Sequence, residues 1–195
     1  MIKKTTLMAA VVIFFAANVA AQHVNLGIKG GLNVFNLRNS ANIKYDAKVG
    51  GNVGLLGHIH LSKQVGLQPE IMYSAQGARF DALGTDGKIK LDYINIPLNL
   101  QYMFSNGFRL QAGPQIGFLV NAKQKFGDTK INVNDNYKKI DFSLTAGIGY
   151  VHPPSSVGVD LRYNLGLSNI NDISNTDVYN RGVQLGLFYL FNHKN

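Results

Sequence analysis

Six ionisable residues stand at positions from which they could form a charged site. They are Lys29, Glu70, Arg109, Asp141, Asp160 and Arg162. Paired carboxylates can serve as a general acid and base, whereas carboxylates beside arginine form ion pairs. The formal charges of this set sum to zero, and an enclosed interior needs such a balance because an unpaired buried charge is costly. The sequence therefore predicts an interior charge network rather than a catalytic carboxylate pair.

The remaining reactive residue types give weaker signals. His58 and His60 stand two residues apart, so both imidazoles could face one metal ion, but the spacing identifies no third ligand. We interpret them as packed or hydrogen-bonded histidines. The chain contains no Cys, which excludes disulfides and a thiol nucleophile, and no Ser has a recognisable nucleophile signature. We therefore expect no catalytic, cofactor-binding or metal site.

The elements that position these residues have a two-residue period, which indicates β-strands. In eight segments one face is apolar or Gly, while the other carries Gly, amides and the six ionisable residues. The segments span residues 24–34, 49–61, 65–75, 89–104, 108–120, 140–150, 157–167 and 183–191. Only 15% of the residues are charged and 46% are apolar, so disorder is not expected. The sequence predicts eight strands of one domain.

The fourth segment changes the phase of its apolar pattern. Ile89, Leu91 and Tyr93 are followed by Ile94 and Ile96, so the alternation slips by one residue. A β-bulge produces such a slip, because it inserts one extra residue into a strand. The sequence therefore predicts a β-bulge at residues 93–94.

The connections between the segments alternate in length. Short turns are predicted at residues 62–64, 105–107 and 152–156, and long polar loops at 36–48, 77–88, 121–139 and 168–182. In an up-and-down meander the long loops all lie at one end. Because an open sheet leaves two unpaired edges, we expect the strands to close into a barrel.

Two kinds of barrel share this alternation, and the polar face distinguishes them. A soluble lipocalin-like binding protein points its apolar face inward, whereas a membrane barrel points it toward lipid. A water-exposed surface would be rich in Lys and Glu, but the polar face is rich in Gly, Asn and Gln. Aromatic residues also concentrate near both strand ends, with Tyr93 among those toward the long loops, as in membrane-interface belts. The fold class predicted is all-β: an eight-stranded antiparallel up-and-down transmembrane β-barrel with long loops at one end and short turns at the other.

The N-terminus has the features of an export signal. Lys3 and Lys4 precede an apolar stretch, and residues 19–21 are a small-residue cleavage site. We predict a signal peptide at residues 1–21 and a barrel domain at residues 22–195. Removal of the signal peptide lowers the formal net charge from +8 to +6. Together with the barrel, an exported chain implies the bacterial outer membrane, and its scattered Lys residues give no nucleic-acid motif.

Three strands carry a resemblance to a known family. Residues 93–102 (YINIPLNLQY), 112–117 (AGPQIG) and 162–170 (RYNLGLSNI) resemble strands of the outer-membrane β-barrel domain family that includes the PorT-like proteins. The resemblance covers the whole chain after residue 21 and implies the barrel fold and the outer membrane. It also implies a link to a secretion apparatus, because PorT-like proteins are associated with one. The aromatic Phe191 resembles the terminal signal read by the barrel-assembly machinery.

These observations favour a non-enzymatic outer-membrane protein with a structural or loop-mediated binding role. An outer-membrane-embedded hydrolase or acyltransferase that uses residues at the rim is the alternative. The expected partners are membrane lipid and lipopolysaccharide, the barrel-assembly machinery during biogenesis, and a protein partner at the long loops. Lys123, Lys125, Lys130, Lys138 and Lys139 form a basic loop region, which we interpret as solvated, with contact to phosphorylated headgroups as the alternative.

Overall fold

The computed structural model describes residues 24–41, 43–82 and 85–191. The predicted signal peptide lies outside these residues. The elements are β1 (Val24–Asn39), β2 (Asp46–His60), β3 (Val65–Ala82), β4 (Thr85–Met103), β5 (Phe108–Phe126), β6 (Thr129–Asn132), a 3₁₀ turn (Asn134–Asn136), β7 (Ile140–His152), β8 (Val157–Gly166) and β9 (Val178–Leu190). Within the described ranges, no helix is long and apolar enough to cross a membrane.

Eight of the strands form a closed antiparallel ring. Each pairs with its neighbour along the chain, except that β7 rather than β6 follows β5 in the ring. Pairing of β1 with β9 closes the barrel, and β6 is a short strand that folds back on β5 alone. The predicted eight-stranded up-and-down barrel is confirmed. Closure matters because lipid offers no hydrogen-bond partner to an unpaired backbone group.

The outer face of the barrel is apolar and the inner face is polar. Leu26, Leu55 and Leu187 point outward and are 61%, 61% and 62% exposed. Gln68 and Asn99 point inward and are fully buried. Exposed aromatic residues lie near the short turns (Tyr102, Phe104, Tyr150, Tyr189 and Phe191) and toward the opposite end (Tyr73, Phe118, Phe142 and Tyr163). This polarity suits a barrel surrounded by lipid and disfavours the lipocalin-like alternative.

The strands run farther than the sequence predicted at the end opposite the short turns, here called the loop end. β3 and β4 stay paired through the predicted loop 77–88, up to Ala82 opposite Thr85. The prediction of a long loop there is wrong, because polar residues outside the membrane still form a β-hairpin. The other three long connections lie at the same end, as expected, although each is shortened by at least one flanking strand that runs farther than predicted.

The predicted β-bulge in β4 is also wrong. Ile89, Leu91, Tyr93 and Asn95 all point inward, so the alternation of β4 continues without a slip. The register shift beside Tyr93 comes from β5: Asp92 pairs with Asn121 but Tyr93 pairs with Leu119, which leaves one extra residue on β5. The alternation of β4 is therefore constant, and what changes at Tyr93 is the environment of the strand, which passes out of the membrane there. Tyr93, expected in an aromatic belt, is fully buried instead.

Apolar side chains close the interior at both ends. At the loop end they form a core (Leu37, Ala78, Ile89, Leu91, Tyr93, Leu119, Ala122, Val133 and Ile170). At the short-turn end they form a smaller core (Leu56, Val151, Phe188 and Leu190). We call these the loop-end core and the short-turn core. The polar interior lies between them, so its ionisable groups are sealed from both sides.

Because the two cores fill both ends of the barrel, we predict that the protein does not act as a general diffusion pore. An eight-stranded barrel encloses a space that side chains can fill, and here apolar side chains fill both ends. The purified protein reconstituted into planar bilayers should give no large, stable single-channel conductance. A steady conductance of porin size would contradict this packing.

Candidate functional site

Four of the six predicted charged residues meet in one ionic cluster. Lys29 Nζ lies 2.6 Å from Asp160 Oδ2 and 3.7 Å from Glu70 Oε2. Arg162 donates two hydrogen bonds to Glu70, from Nη2 to Oε1 at 2.6 Å and from Nη1 to Oε2 at 2.9 Å. Arg162 Nη2 also lies 3.0 Å from Asp160 Oδ2. Two cations and two anions therefore neutralise each other and join β1, β3 and β8.

The backbone around this cluster makes room for it. A Cβ at Gly186 on β9 would overlap with Lys29 Cε and would lie 2.9 Å from Asp160 Oδ1. Glycine at this position therefore lets the Lys29 side chain lie flat against the wall and reach Asp160. All four side chains of the cluster are at most 1% exposed. Such burial is tolerable only because the charges are paired and hydrogen-bonded.

Arg109 lies outside the cluster, which differs from the expectation that it pairs with a carboxylate. Within the described part of the chain its guanidinium has no ion pair, and Nη1 donates to Gln101 Oε1 at 3.4 Å. Gln101 in turn donates to Gln68 at 2.9 Å, and Gln68 donates to Glu70 at 2.6 Å. Two glutamines therefore connect Arg109 to the cluster. The sequence expectation failed because amides on the same inward face can supply the acceptor.

Asp141 also lies apart from the cluster, near the loop end where β7 begins. Its Oδ1 accepts a hydrogen bond from the Ser168 hydroxyl at 3.0 Å. The distance from the cluster follows from chain direction, since β7 starts at the loop end whereas Asp160 lies near the start of β8 at the short-turn end. Asp141 thus helps to fasten the β8–β9 connection to β7.

His58 and His60 pack against each other in a T-shaped arrangement, with ring centroids 4.5 Å apart. His58 is fully buried. Across the residues that the structure describes, no three His, Asp or Glu side chains are grouped so that they could hold a metal ion. What the described interior residues offer is hydrogen bonds and ion pairs.

A chain of amides and hydroxyls connects the strands above the ionic cluster. Asn52 donates to Asn33 at 2.8 Å, and Asn33 donates to the Ser74 hydroxyl at 2.8 Å. Gln76 donates to the same hydroxyl at 2.9 Å and accepts from Asn180. This chain links β1, β2, β3 and β9 just below the loop-end core. The middle of the barrel is thus filled by side chains that bind one another.

Above the loop-end core, the loop end contains a cleft of about 420 Å³. Tyr45, Phe80 and Tyr137 provide its aromatic surface, and all three pack against the loop-end core. Its other lining residues are Asn39, Ile43, Lys44, Asp81, Ile89, Gln124, Asn136, Asn171, Ile173, Ser174, Thr176 and Val178. The volume lies within the range of small-molecule sites. Aromatic and aliphatic side chains with a few polar groups are the usual lining of such sites.

Backbone hydrogen bonds hold the walls of this cleft together. The segment around the 3₁₀ turn binds the β8–β9 connection, with Lys138 N donating to Ile170 O at 2.8 Å and Asp172 N donating to Asn136 O at 3.0 Å. Ser40 N donates to Asp177 O at 3.0 Å, which ties in the β1–β2 connection. The three connections therefore form one connected wall. A site with such walls is formed before any ligand arrives.

Several polar groups of the cleft are available to a ligand. Among the hydrogen bonds of the described residues, none engages the side chains of Gln124, Asn136 or Thr176, although all three line the cleft. The phenols of Tyr45 and Tyr137 add neutral hydroxyl groups. Burial, followed by the nearby Tyr45, raises the pKa of Tyr137 to about 12. Tyr137 therefore stays a neutral donor and acceptor under ordinary conditions.

Comparison with protein families gives one match that covers most of the chain. Residues 20–172 match the outer membrane protein beta-barrel domain family. The chain belongs to this family. The apolar belt of this outer membrane barrel consequently faces lipid and lipopolysaccharide of the bacterial outer membrane.

Solved structures support the fold of the outer membrane barrel. Neisserial surface protein A aligns with a TM-score of 0.53 at 13% identity, covering 87% of this chain and 99% of the neisserial one. The attachment invasion locus protein Ail of Yersinia pestis, solved with the heparin analogue sucrose octasulfate, aligns with a TM-score of 0.52 at 15% identity, covering 87% and 99%. At these identities the likeness concerns the fold alone. No curated protein matches the sequence of this chain.

The cleft of the outer membrane barrel was not predicted from the sequence. Its residues come from five separate segments that contain Asn, Ser, Thr and single aromatics, which are ordinary in loops. The available signal was Ile89, Leu91 and Tyr93, whose apolar side chains stand on the polar face of β4 just before the membrane segment. Apolar residues on that face indicate a core inside the loop end. A core there implies a structured cap rather than free loops.

The ionic cluster predicts a clear effect of a single substitution. Glu70→Gln removes one anion and leaves Lys29 and Arg162 to share Asp160, so an excess buried positive charge remains. We expect the free energy of unfolding to fall by about 3–5 kcal/mol. Urea unfolding in detergent micelles, followed by the heat-dependent gel mobility of the folded barrel, measures this.

Two further variants complete this test. Adding Arg162→Met to Glu70→Gln leaves the neutral Lys29–Asp160 pair and should recover part of the loss. Asp141→Asn is the matched control, because Asp141 has a hydroxyl partner and lies outside the cluster, so its cost should be about 1 kcal/mol. An unchanged unfolding midpoint for Glu70→Gln would mean that the cluster does not stabilise the barrel.

Proposed function

We propose that this protein is a non-enzymatic binding protein of the outer membrane and that the loop-end cleft is its ligand site. The observation that carries the proposal is the construction of the cleft. Three connections bound to one another surround aromatic side chains that rest on the loop-end core. Binding sites commonly consist of loops that a rigid scaffold positions. The barrel supplies that scaffold.

The lining of the cleft favours a neutral ligand rich in hydroxyl groups, such as a short saccharide. Tyr45, Phe80 and Tyr137 offer flat apolar faces for the C–H side of a sugar ring. Gln124 and Asn136 each offer a donor and an acceptor, which matches a hydroxyl group that both donates and accepts. Lys44 and Asp81 are the charged residues of the lining, and their charges cancel.

The alternative of a hydrolase or acyltransferase has less support in the cleft. Such an enzyme needs a nucleophile with an adjacent base. Ser174 lines the cleft, but its hydroxyl accepts a hydrogen bond from the Asn171 amide, which is not a base. No histidine stands among the described residues of the lining. These side chains fit a protein that binds its ligand without converting it.

Further partners expected from the sequence remain predictions. A PorT-like link to secretion would require a protein partner at the loop end, where the cap presents a structured surface. The barrel-assembly machinery would recognise the last strand near Phe191, which is exposed beside the short turns. Both proposals rest on the family resemblance rather than on the cleft.

The test of the proposed function is direct binding. The protein in lipid nanodiscs is applied to an array of neutral and anionic oligosaccharides, and affinities of retained sugars are measured by isothermal titration calorimetry. We expect retention of neutral saccharides. The double variant Gln124→Ala, Asn136→Ala should weaken binding about thirtyfold, because two hydrogen bonds are lost and each is worth about 1 kcal/mol.

Gln64→Ala is the matched control for this test. Gln64 is an exposed amide at the opposite end of the barrel, in a short turn. This variant should bind saccharide like the wild type. Retention of no neutral saccharide, or equal affinity in the cleft variant and the wild type, would contradict the proposal.

A further inference from the structure

Strand register brings four lysines together on the outer surface of the loop end. Lys88 and Lys90 on β4 lie directly opposite Lys125 and Lys123 on β5. Ile89 and Leu91 point into the loop-end core, so these lysines point outward. Opposite residues of an antiparallel pair lie about 5 Å apart, and alternate residues of a strand about 7 Å apart. We call Lys88, Lys90, Lys123 and Lys125 the lysine quartet.

The positive surface extends beyond the quartet on both sides. Arg79 on β3 lies opposite Lys88, and Lys130 on β6 lies opposite Lys125. Four cations therefore form an unbroken row across β3, β4, β5 and β6. Like charges that lie directly opposite each other destabilise a sheet. A row of this kind makes physical sense when an anion outside the protein lies against it.

The protein's own carboxylates offset the quartet only in part. Asp86 stands two residues before Lys88 on the outward face of β4 and lies opposite Asp81 of β3. The ion pairs of the ionic cluster lie inside the barrel and do not involve the quartet. Asp92, which shares the outward face of β4 with Lys90, accepts a hydrogen bond from Asn121 at 2.8 Å. Asp46 lies opposite Arg79 at the far end of the row, away from the quartet. Because Asp86 and Asp92 stand against four lysines on the outward face of β4 and β5, that surface keeps a net positive charge.

The position of the quartet selects the source of that anion. Lys90 lies four residues from Ile94 and Lys123 three residues from Val120, and Ile94 and Val120 belong to the apolar outer belt. At about 3.3 Å per residue and with tilted strands, the backbones of Lys90 and Lys123 lie roughly 10 Å beyond the belt, and those of Lys88 and Lys125 roughly 15 Å beyond it. Lysine side chains are long enough to extend back toward a membrane interface. Their ammonium groups thus reach the headgroup layer.

We propose that the lysine quartet, flanked by Arg79 and Lys130, binds the phosphate groups of outer-leaflet lipid headgroups. Phosphate carries the charge and the acceptor oxygens that several ammonium groups satisfy together. The site fixes one side of the barrel, the β3–β6 side, against phosphorylated lipid. It is separate from the cleft, since Gln124 between Lys123 and Lys125 points inward to the cleft while the lysines point outward.

The experiment compares a phosphorylated lipid with its dephosphorylated form. The full protein in neutral detergent micelles is titrated with bis-phosphorylated lipid A or with the same lipid lacking both phosphates, and bound lipid is counted by native mass spectrometry. We expect at least tenfold tighter binding of the phosphorylated form at low salt. The preference should shrink at high salt, because exposed charges are screened.

Variants locate the site. K88Q/K90Q/K123Q/K125Q should lose the preference for the phosphorylated lipid. The control R38Q/K63Q/K138Q/K139Q removes the same charge from other exposed basic residues and should retain the preference. Heat-dependent gel mobility checks that each variant is folded, and the smaller change K90Q/K123Q, expected to weaken the preference severalfold, replaces the fourfold variant if that one fails to fold.

Three results would overturn the proposal. Equal binding of the phosphorylated and dephosphorylated lipids would mean that phosphate is not recognised. Equal loss in the quartet variant and the control would mean that net charge, rather than this site, attracts the lipid. If sucrose octasulfate or inorganic pyrophosphate bound the quartet as tightly as the lipid, the ligand would be a free polyanion and the headgroup assignment would be wrong.

Discussion

The structure depends on one constraint: inside a bilayer, the backbone must satisfy its own hydrogen bonds. Eight strands meet this constraint by closing into a ring through the pairing of β1 with β9. Closure then separates the side chains into an outer set that contacts lipid and an inner set shielded from it. Because side chains alternate along a strand, every second residue belongs to the inner set. The polar interior is a consequence of the ring.

The inner set must then neutralise its own charges, and it does so in layers. The ionic cluster of Lys29, Glu70, Asp160 and Arg162 cancels four charges, and amides occupy the space above it. On the loop-end side of Tyr93 the strands extend out of the lipid. There the polarity of the two strand faces reverses, because an apolar core lies inside and lysines lie outside. This reversal creates both proposed sites. The cleft rests on the core, and the lysine quartet lies on the opposite face of the same strands.

The same physics decides which features of the fold and of the sites could be predicted from the sequence. Strand number, closure and the inward direction of the six charged residues follow from a local two-residue period, which the sequence displays directly. The partners of Arg109 and Asp141 do not follow from this period, because contact across a barrel depends on its shear and on which strands face each other. The same holds for Lys88 and Lys125, which are distant along the chain and meet only through register. The phase change at Tyr93 was visible but was explained by a bulge instead of by the end of the membrane.

The most direct test of the account is a cysteine scan along β4 in lipid, which is unambiguous because the chain has no Cys. Spin labels at residues 88–100 report collision with oxygen, which concentrates in lipid, and with a nickel chelate, which stays in water. We expect oxygen access at residues 94, 96 and 98, nickel access at 88 and 90, and little of either at 89, 91 and 93. Lipid access at 89, 91 and 93 would contradict it, because the outward face would then change at Tyr93.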